Sequence, residues 1–247
     1  TYLVAISNRK TELLLLNHIP GGTSMGNPLR DNIMAHICQL PYFKDFKYRK
    51  SDRKMIKKMP WGRFCIVFQM WQSWDREVYD YACEVIPILT VRFDVLFKWF
   101  EKYTEWNLKS FREHSSLMFG CDDFGGQNSY LFLYDGSDFN KKMSVMQKDV
   151  IFSSDKVLSE YCSLEQMYYK IVEPLLDGKR ERWESGANWI FEYLKLCTIV
   201  KPDRYYELKN FLLKIIDYLH TKQYPEPELR QYYDKLDLMF ADVEQGL

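Results

Sequence analysis

Trp61-Gly-Arg-Phe-Cys-Ile-Val-Phe-Gln-Met70 is the stretch on which the fold turns. Its aromatic and β-branched residues predict a strand, and a strand this apolar needs a sheet to join and helices to cover it. Upstream, residues 2–6 and 11–16 are β-prone runs separated by the polar turn Ser7-Asn8-Arg9-Lys10, a predicted hairpin. Residues 17–28 hold three Gly and two Pro and read as a loop. Residues 29–40 then place Ile33, Ile37 and Leu40 at helical spacing, and Pro41 stops that helix.

Downstream, Ser73 or Asp75 is placed to cap a long helix over 75–107. Val78, Ala82, Val85, Leu89, Leu96, Trp99, Phe100 and Tyr103 keep a three-to-four spacing along it, with Pro87 kinking or dividing it. Residues 121–127 are a Gly- and Asp-rich loop. Residues 129–134 and 145–153 read as a second hairpin about Asp135-Gly136-Ser137-Asp138. Past 154 the texture turns helical, with a capping box at Ser163-Leu-Glu-Gln166 and further helices over 181–197, 203–219 and 229–243. The expected fold is α+β. A small, mainly antiparallel sheet with covering helices occupies 1–154, and an all-helical C-terminal region, 155–247, packs on it as a second unit or as part of one domain.

Lys plus Arg equals Asp plus Glu at 34 each, so any attraction to nucleic acid or an anionic surface has to be local. Aromatic residues make up 17 % of the 247, an excess that favours rings on a contact surface. Cys38, Cys65, Cys83, Cys121, Cys162 and Cys197 are scattered without a C-x-x-C or a metal-ligand pairing with histidine, and read as free, buried thiols of a reducing compartment. Charges interrupt every apolar run short of the ~20 residues needed to span a bilayer. The expected location is therefore intracellular, in the cytoplasm or within a viral particle. The chain opens on Thr1 rather than Met, as expected of a fragment or of a chain lacking a tail.

Gly22-Thr23-Ser24-Met25-Gly26 is a G-x-S-x-G ahead of a helix, a pattern that exposes a Ser hydroxyl beside oxyanion-stabilising backbone N–H groups. It resembles the serine elbow of α/β-hydrolases and, in its Gly-Thr-Ser form, that of patatin-like lipases. That resemblance implies a serine hydrolase with Ser24 as nucleophile and Asp135, of Asp135-Gly136, as its partner. The chain departs from those families where Pro20 stands between strand and elbow and Asn27 follows Gly26. Gly21 and Gly26 have the spacing of a phosphate cradle, but Asn27 and Pro28 replace the Lys and Ser or Thr it requires. Asp123-Phe124-Gly125 resembles the magnesium triplet of protein kinases without their catalytic loop.

The strongest electrostatic feature is Lys44, Lys47, Arg49, Lys50, Arg53, Lys54, Lys57 and Lys58, interleaved with Phe43, Phe46 and Tyr48. Such a strip suits an acidic protein partner or, with its rings stacking on bases, a single-stranded nucleic acid. His18, His36, His114 and His220 lack metal-ligand spacing, so no metal or cofactor is expected. Tyr168-Tyr169, Tyr205-Tyr206 and Tyr232-Tyr233 each set one ring about 100° round a helix from the other, one inward and one outward. With Trp183 and Trp189, the outward rings make a candidate partner-binding belt. The expected function is a non-enzymatic binding or structural subunit of a larger assembly, cellular or viral, with protein partners or self-association. Nucleic-acid binding and serine hydrolysis are the alternatives.

Overall fold

Alternation along Gly62–Asp75 (β3) organises the chain, because Phe64, Ile66, Phe68 and Met70 are buried on one side while Arg63, Val67 and Gln69 stay half-buried on the other. The computed structural model describes residues 28–75, 80–103, 115–179, 189–221 and 235–245. The expected hairpin over 2–16 and the loop carrying Ser24 lie outside these residues. Pro28–Cys38 (α1) is helical as predicted and buries Ile33, Met34 and Ile37. The basic strip forms Lys47–Arg49 (β1) and Lys54–Met59 (β2), paired antiparallel.

Residues 75–107 are the main departure from the predicted helix. Asp80–Phe93 (β4) is a strand paired along its whole length with β3, and only Asp94–Glu101 (α2) is helical. Spacings of three and four fit Ala82, Val85 and Leu89, but Val85-Ile-Pro-Ile-Leu-Thr-Val91 is β-branched at most positions, which favours extended backbone. Pro87, a helix breaker, fits this strand because of where it falls. Leu117–Gly120 (β5) pairs with 88–91 and Tyr130–Leu133 (β6) with 82–85, so the missing N–H lies in the gap between them. The sheet runs β1-β2-β3-β4-β5, with β6 also on β4.

The 129–153 hairpin is half correct. β6 is a strand, but 145–153 lies inside Phe139–Glu160 (α3), which buries Phe139, Met143, Met146, Val150 and Val157 at helical intervals. A nine-residue window reads as a strand there because Val145, Val150, Ile151 and Phe152 crowd it; the longer period decides. Leu164–Met167, a π turn Tyr168–Val172 and Glu173–Leu176 form one continuous run (α4). Its capping box is present, with Gln166 N donating to Ser163 Oγ at 3.1 Å and Ser163 N donating to Gln166 Oε1 at 3.1 Å. The π turn directly precedes Pro174, which already interrupts the i→i−4 ladder. Trp189–Val200 (α5), Tyr205–Thr221 (α6) and Leu236–Glu244 (α7) complete the helical part. Position 154 falls within α3, and one cluster of buried side chains joins residues on both sides of it.

Two local features hold this arrangement. Gly62 adopts φ +150°, and a Cβ there would lie 2.0 Å from the Arg92 carbonyl oxygen, so only glycine lets β3 start beside the end of β4. Asp242 of α7 accepts hydrogen bonds from the Tyr103 hydroxyl and, at 3.1 Å, from Lys102 Nζ, tying the last helix to the end of α2. The Tyr103 hydrogen bond, with Lys102 beside it, holds the Asp242 carboxyl below its ordinary range. Glu244 is likewise lowered by its 2.6 Å bond from Lys209. Groups depressed in the folded state stabilise it above the unfolded carboxylate range, and that contribution disappears as pH falls through the folded values.

Gly62→Ala is expected to lower stability by about 2 kcal/mol or more, read as a drop in the urea midpoint at unchanged slope. Asp242→Asn should lower the midpoint at pH 7 and make the loss of stability below about pH 4 shallower than in the wild type.

Candidate interaction surface

Each of α1 to α7 buries side chains in one cluster on the Phe64–Phe68 side of the sheet. The register defines what the opposite side carries, since directly paired residues project to the same face. One row runs Lys47, Ile56, Cys65, Thr90, Met118, and the next Arg49, Lys54, Val67, Ile88, Gly120. Gln69 pairs with Ile86, and a further row runs Trp71, Glu84, Leu131. None of these residues belongs to the core cluster. At its centre Cys65 and Thr90 are buried, Ile56, Val67, Ile86, Ile88 and Leu131 are half-buried, and Met118 is 38 % exposed.

One margin of this face is cationic. Lys58, Arg63 and Arg92 stand in a single cross-strand row, like charges side by side, an arrangement that opposes sheet formation unless counter-charges attend it. Arg92 has Asp94 at 2.9 Å and lies over the Phe97 ring at 4.2 Å. Arg49 and Lys54, opposite one another, share Asp52: Arg49 grips both carboxylate oxygens, at 2.8 and 2.5 Å, and the buried Lys54 Nζ stands 3.6 Å away. Burial pushes the Asp52 carboxyl up, but the Arg49 hydrogen bonds and the Lys54 charge outweigh it and leave it lowered.

The strip's other members are divided between the two sides. Arg53, at φ +49°, donates from Nε to the Phe68 carbonyl and accepts from Phe68 N at 3.0 Å, closing the start of β2. Lys50 is 3.6 Å from Asp31, and Lys57 points to the core side, over Phe46 at 5.5 Å. Lys44, Lys47 and Lys58 are exposed. The rings expected to interleave with these cations do not stand among them. Phe43 is buried, Phe46 and Tyr48 pack against the core, and the strand's alternation turns Tyr48 away from Lys47 and Arg49.

The remaining predicted residues fall as follows. Ser24, Trp183, Tyr232 and Tyr233 lie outside the described residues, and Trp189 opens α5. Asp135 is exposed in a turn, accepting from Ser137 N at 2.9 Å and Ser137 Oγ at 2.8 Å, bonds that lower its carboxyl and fit an Asx turn. Asp123 accepts from Gly120 N at 2.8 Å and Phe124 packs on Phe119, so this triplet builds a loop. Of the tyrosine pairs, Tyr168 and Tyr205 are fully buried while Tyr169 and Tyr206 are 49 % and 60 % exposed. The inward Tyr205 donates to Glu244 at 3.2 Å. Rings such as Tyr130, Tyr193, Phe100 and Phe191 show that the core absorbs much of the aromatic excess. Among the described residues, no group of three or more His, Cys, Asp or Glu side chains is arranged to hold a metal ion, and no helix is long and apolar enough to cross a membrane.

All six cysteines are free thiols; Cys65, Cys83, Cys121 and Cys197 are buried, Cys162 is half-buried, and Cys38, contrary to expectation, is exposed. Burial pushes the Cys121 thiol up to about 11 and the Cys197 thiol up to about 12. Because the thiolate is the reactive species, iodoacetamide at pH 8 should label Cys38 and Cys162 in the native protein. The other four are expected to react only after denaturation, as peptide mass mapping would reveal. Comparison with models of protein families, with curated proteins and with solved structures yields no match.

Proposed function

We propose that the protein is a non-enzymatic binding subunit of a larger protein assembly, cellular or viral, and that it meets a protein partner with the face of its sheet that no described helix covers, referred to below as the open face. The observation carrying this reading is the asymmetry of that sheet: the described helices bury one face, whereas the other presents Ile56, Val67, Ile86, Ile88 and Met118 outside the core. Apolar surface of this kind, bordered by charge, is what contact surfaces present. The Lys47, Lys58, Arg63 and Arg92 margin favours a partner that is apolar at its centre and acidic at its edge. Six free thiols support a reducing, intracellular setting. Nucleic acid is less favoured, because Phe43, Phe46 and Tyr48 pack toward the core instead of presenting open ring faces beside the exposed Lys44, Lys47 and Lys58.

The test is the mass of the native species recovered from its source, for wild type and for Met118→Glu. This side chain is exposed, so its replacement should change stability by no more than about 0.5 kcal/mol. A heavy native complex that is lost or lightened in Met118→Glu is the expected result. A native monomer, or a complex indifferent to the substitution, overturns the reading. Salt-sensitive binding of a single-stranded oligonucleotide, weakened by charge reversal at Lys50, Arg53 and Lys54, would replace it with the nucleic-acid alternative.

A further inference from the structure

β2 pairs with β3 only as far as Lys54 opposite Val67, and the Arg53–Phe68 bonds close that pairing. β3 continues to Asp75, held by β4 on its other side. Because Phe68 N points toward β2, alternation sends the N–H and C=O groups of Met70, Gln72 and Trp74 to that same side. Among the described residues, no strand pairs with this edge beyond Val67, and the backbone groups of Met70 and Gln72 meet no partner there. Among the described residues the usual protections of an edge are missing as well. Phe68-Gln-Met-Trp-Gln-Ser-Trp-Asp75 contains no Pro, Gly or Lys, and β3 and β4 stay in register to their ends without a bulge.

We propose that this edge is completed by a second copy of the chain, the two β3 strands pairing antiparallel about a two-fold axis at Gln72. Only even-numbered positions present their backbone groups to the edge, so the hydrogen-bonded pairs must join even positions. A centre at Gln72 satisfies that rule, setting Gln72 against the partner's Gln72 and Met70 against the partner's Trp74. An axis passing between two residues would set even positions against odd ones. A centre at position 71 would oppose Trp74 to Phe68, whose N–H already bonds Arg53, and a centre at position 73 would oppose Met70 to position 76, beyond the end of β3. Two-fold symmetry makes the edge its own complement. The edge is uncharged from Phe68 to Trp74, so self-pairing sets no like charges together. The two sheets then become one, extending the open face across both copies.

The experiment is sedimentation equilibrium on the full chain from about 1 to 100 µM, the range for a contact of modest area. Gln72 is exposed, so it can be changed without entering the core. Wild type is expected to dimerise with rising concentration. Gln72→Lys and Gln72→Glu, each placing like charges face to face at the axis, should each weaken the dimer several-fold, and an equimolar mixture of the two should restore it as a heterodimer. Gln72→Pro, which removes the central donor from both strands, should weaken it roughly tenfold or more. Circular dichroism and unfolding midpoints like those of wild type show that each variant is folded. A wild type that stays monomeric overturns the proposal, as does a dimer insensitive to Lys, Glu and Pro at position 72. A monomer that instead captures the open-face partner would leave the assembly reading intact while removing this one.

Discussion

Fourteen consecutive paired positions between β3 and β4 hold the rest of the molecule in place. They supply the two central strands onto which β2, β5 and β6 are added, and their alternation decides which side chains meet the helices. Phe64, Ile66 and Phe68 on β3 and Val85, Leu89 and Val91 on β4 make one apolar surface, against which α1, α2, α3 and the C-terminal helices bury their own stripes. A slip of one residue would exchange this set for Arg63, Gln69, Glu84 and Arg92, turning charge toward the apolar stripes of the helices. Gly62 begins this register because no side chain fits where the strand passes the Arg92 carbonyl.

The same constraint leaves the molecule asymmetric. All the covering elements that are described lie on one side, yet the other side is not the polar surface that a half-solvated antiparallel sheet ordinarily shows. Ile56, Val67, Ile86 and Ile88 lie there with cations along one margin, and β3 runs past its neighbour with open backbone groups.

Much of this was legible in the amino-acid order. The strand at 61–70, the helix ended by Pro41, the capping box at Ser163 and the inward and outward members of Tyr168-Tyr169 and Tyr205-Tyr206 all follow from local chemistry and period. Two segments misled for a shared reason. Residues 82–91 and 145–153 are apolar at positions that satisfy both a two-residue and a three-to-four-residue repeat, so neither period excludes the other. Pro87 read as a kink because its one tolerable place in a strand, between β6 and β5, exists only once both have docked. The basic strip had a signal that could have found its strands: Tyr48 between Lys47 and Arg49, and Met55, Lys57 and Met59 alternating with Lys54, Ile56 and Lys58.

The sequence by itself determined composition-level and local properties: an α+β fold with a helical end, thiols scattered without a metal or disulfide pattern, helix caps, and charge gathered near residue 50. Those depend on neighbours within a few positions, where backbone sterics, capping and spacing act. Tertiary structure decided which face of the sheet the helices cover, which cations are paired with Asp52 or Asp31, and which rings are inside. It also decided where β3 outruns β2. Each of these turns on register between segments distant in the chain, and register is selected by the packing of a whole face rather than by any one residue's preference.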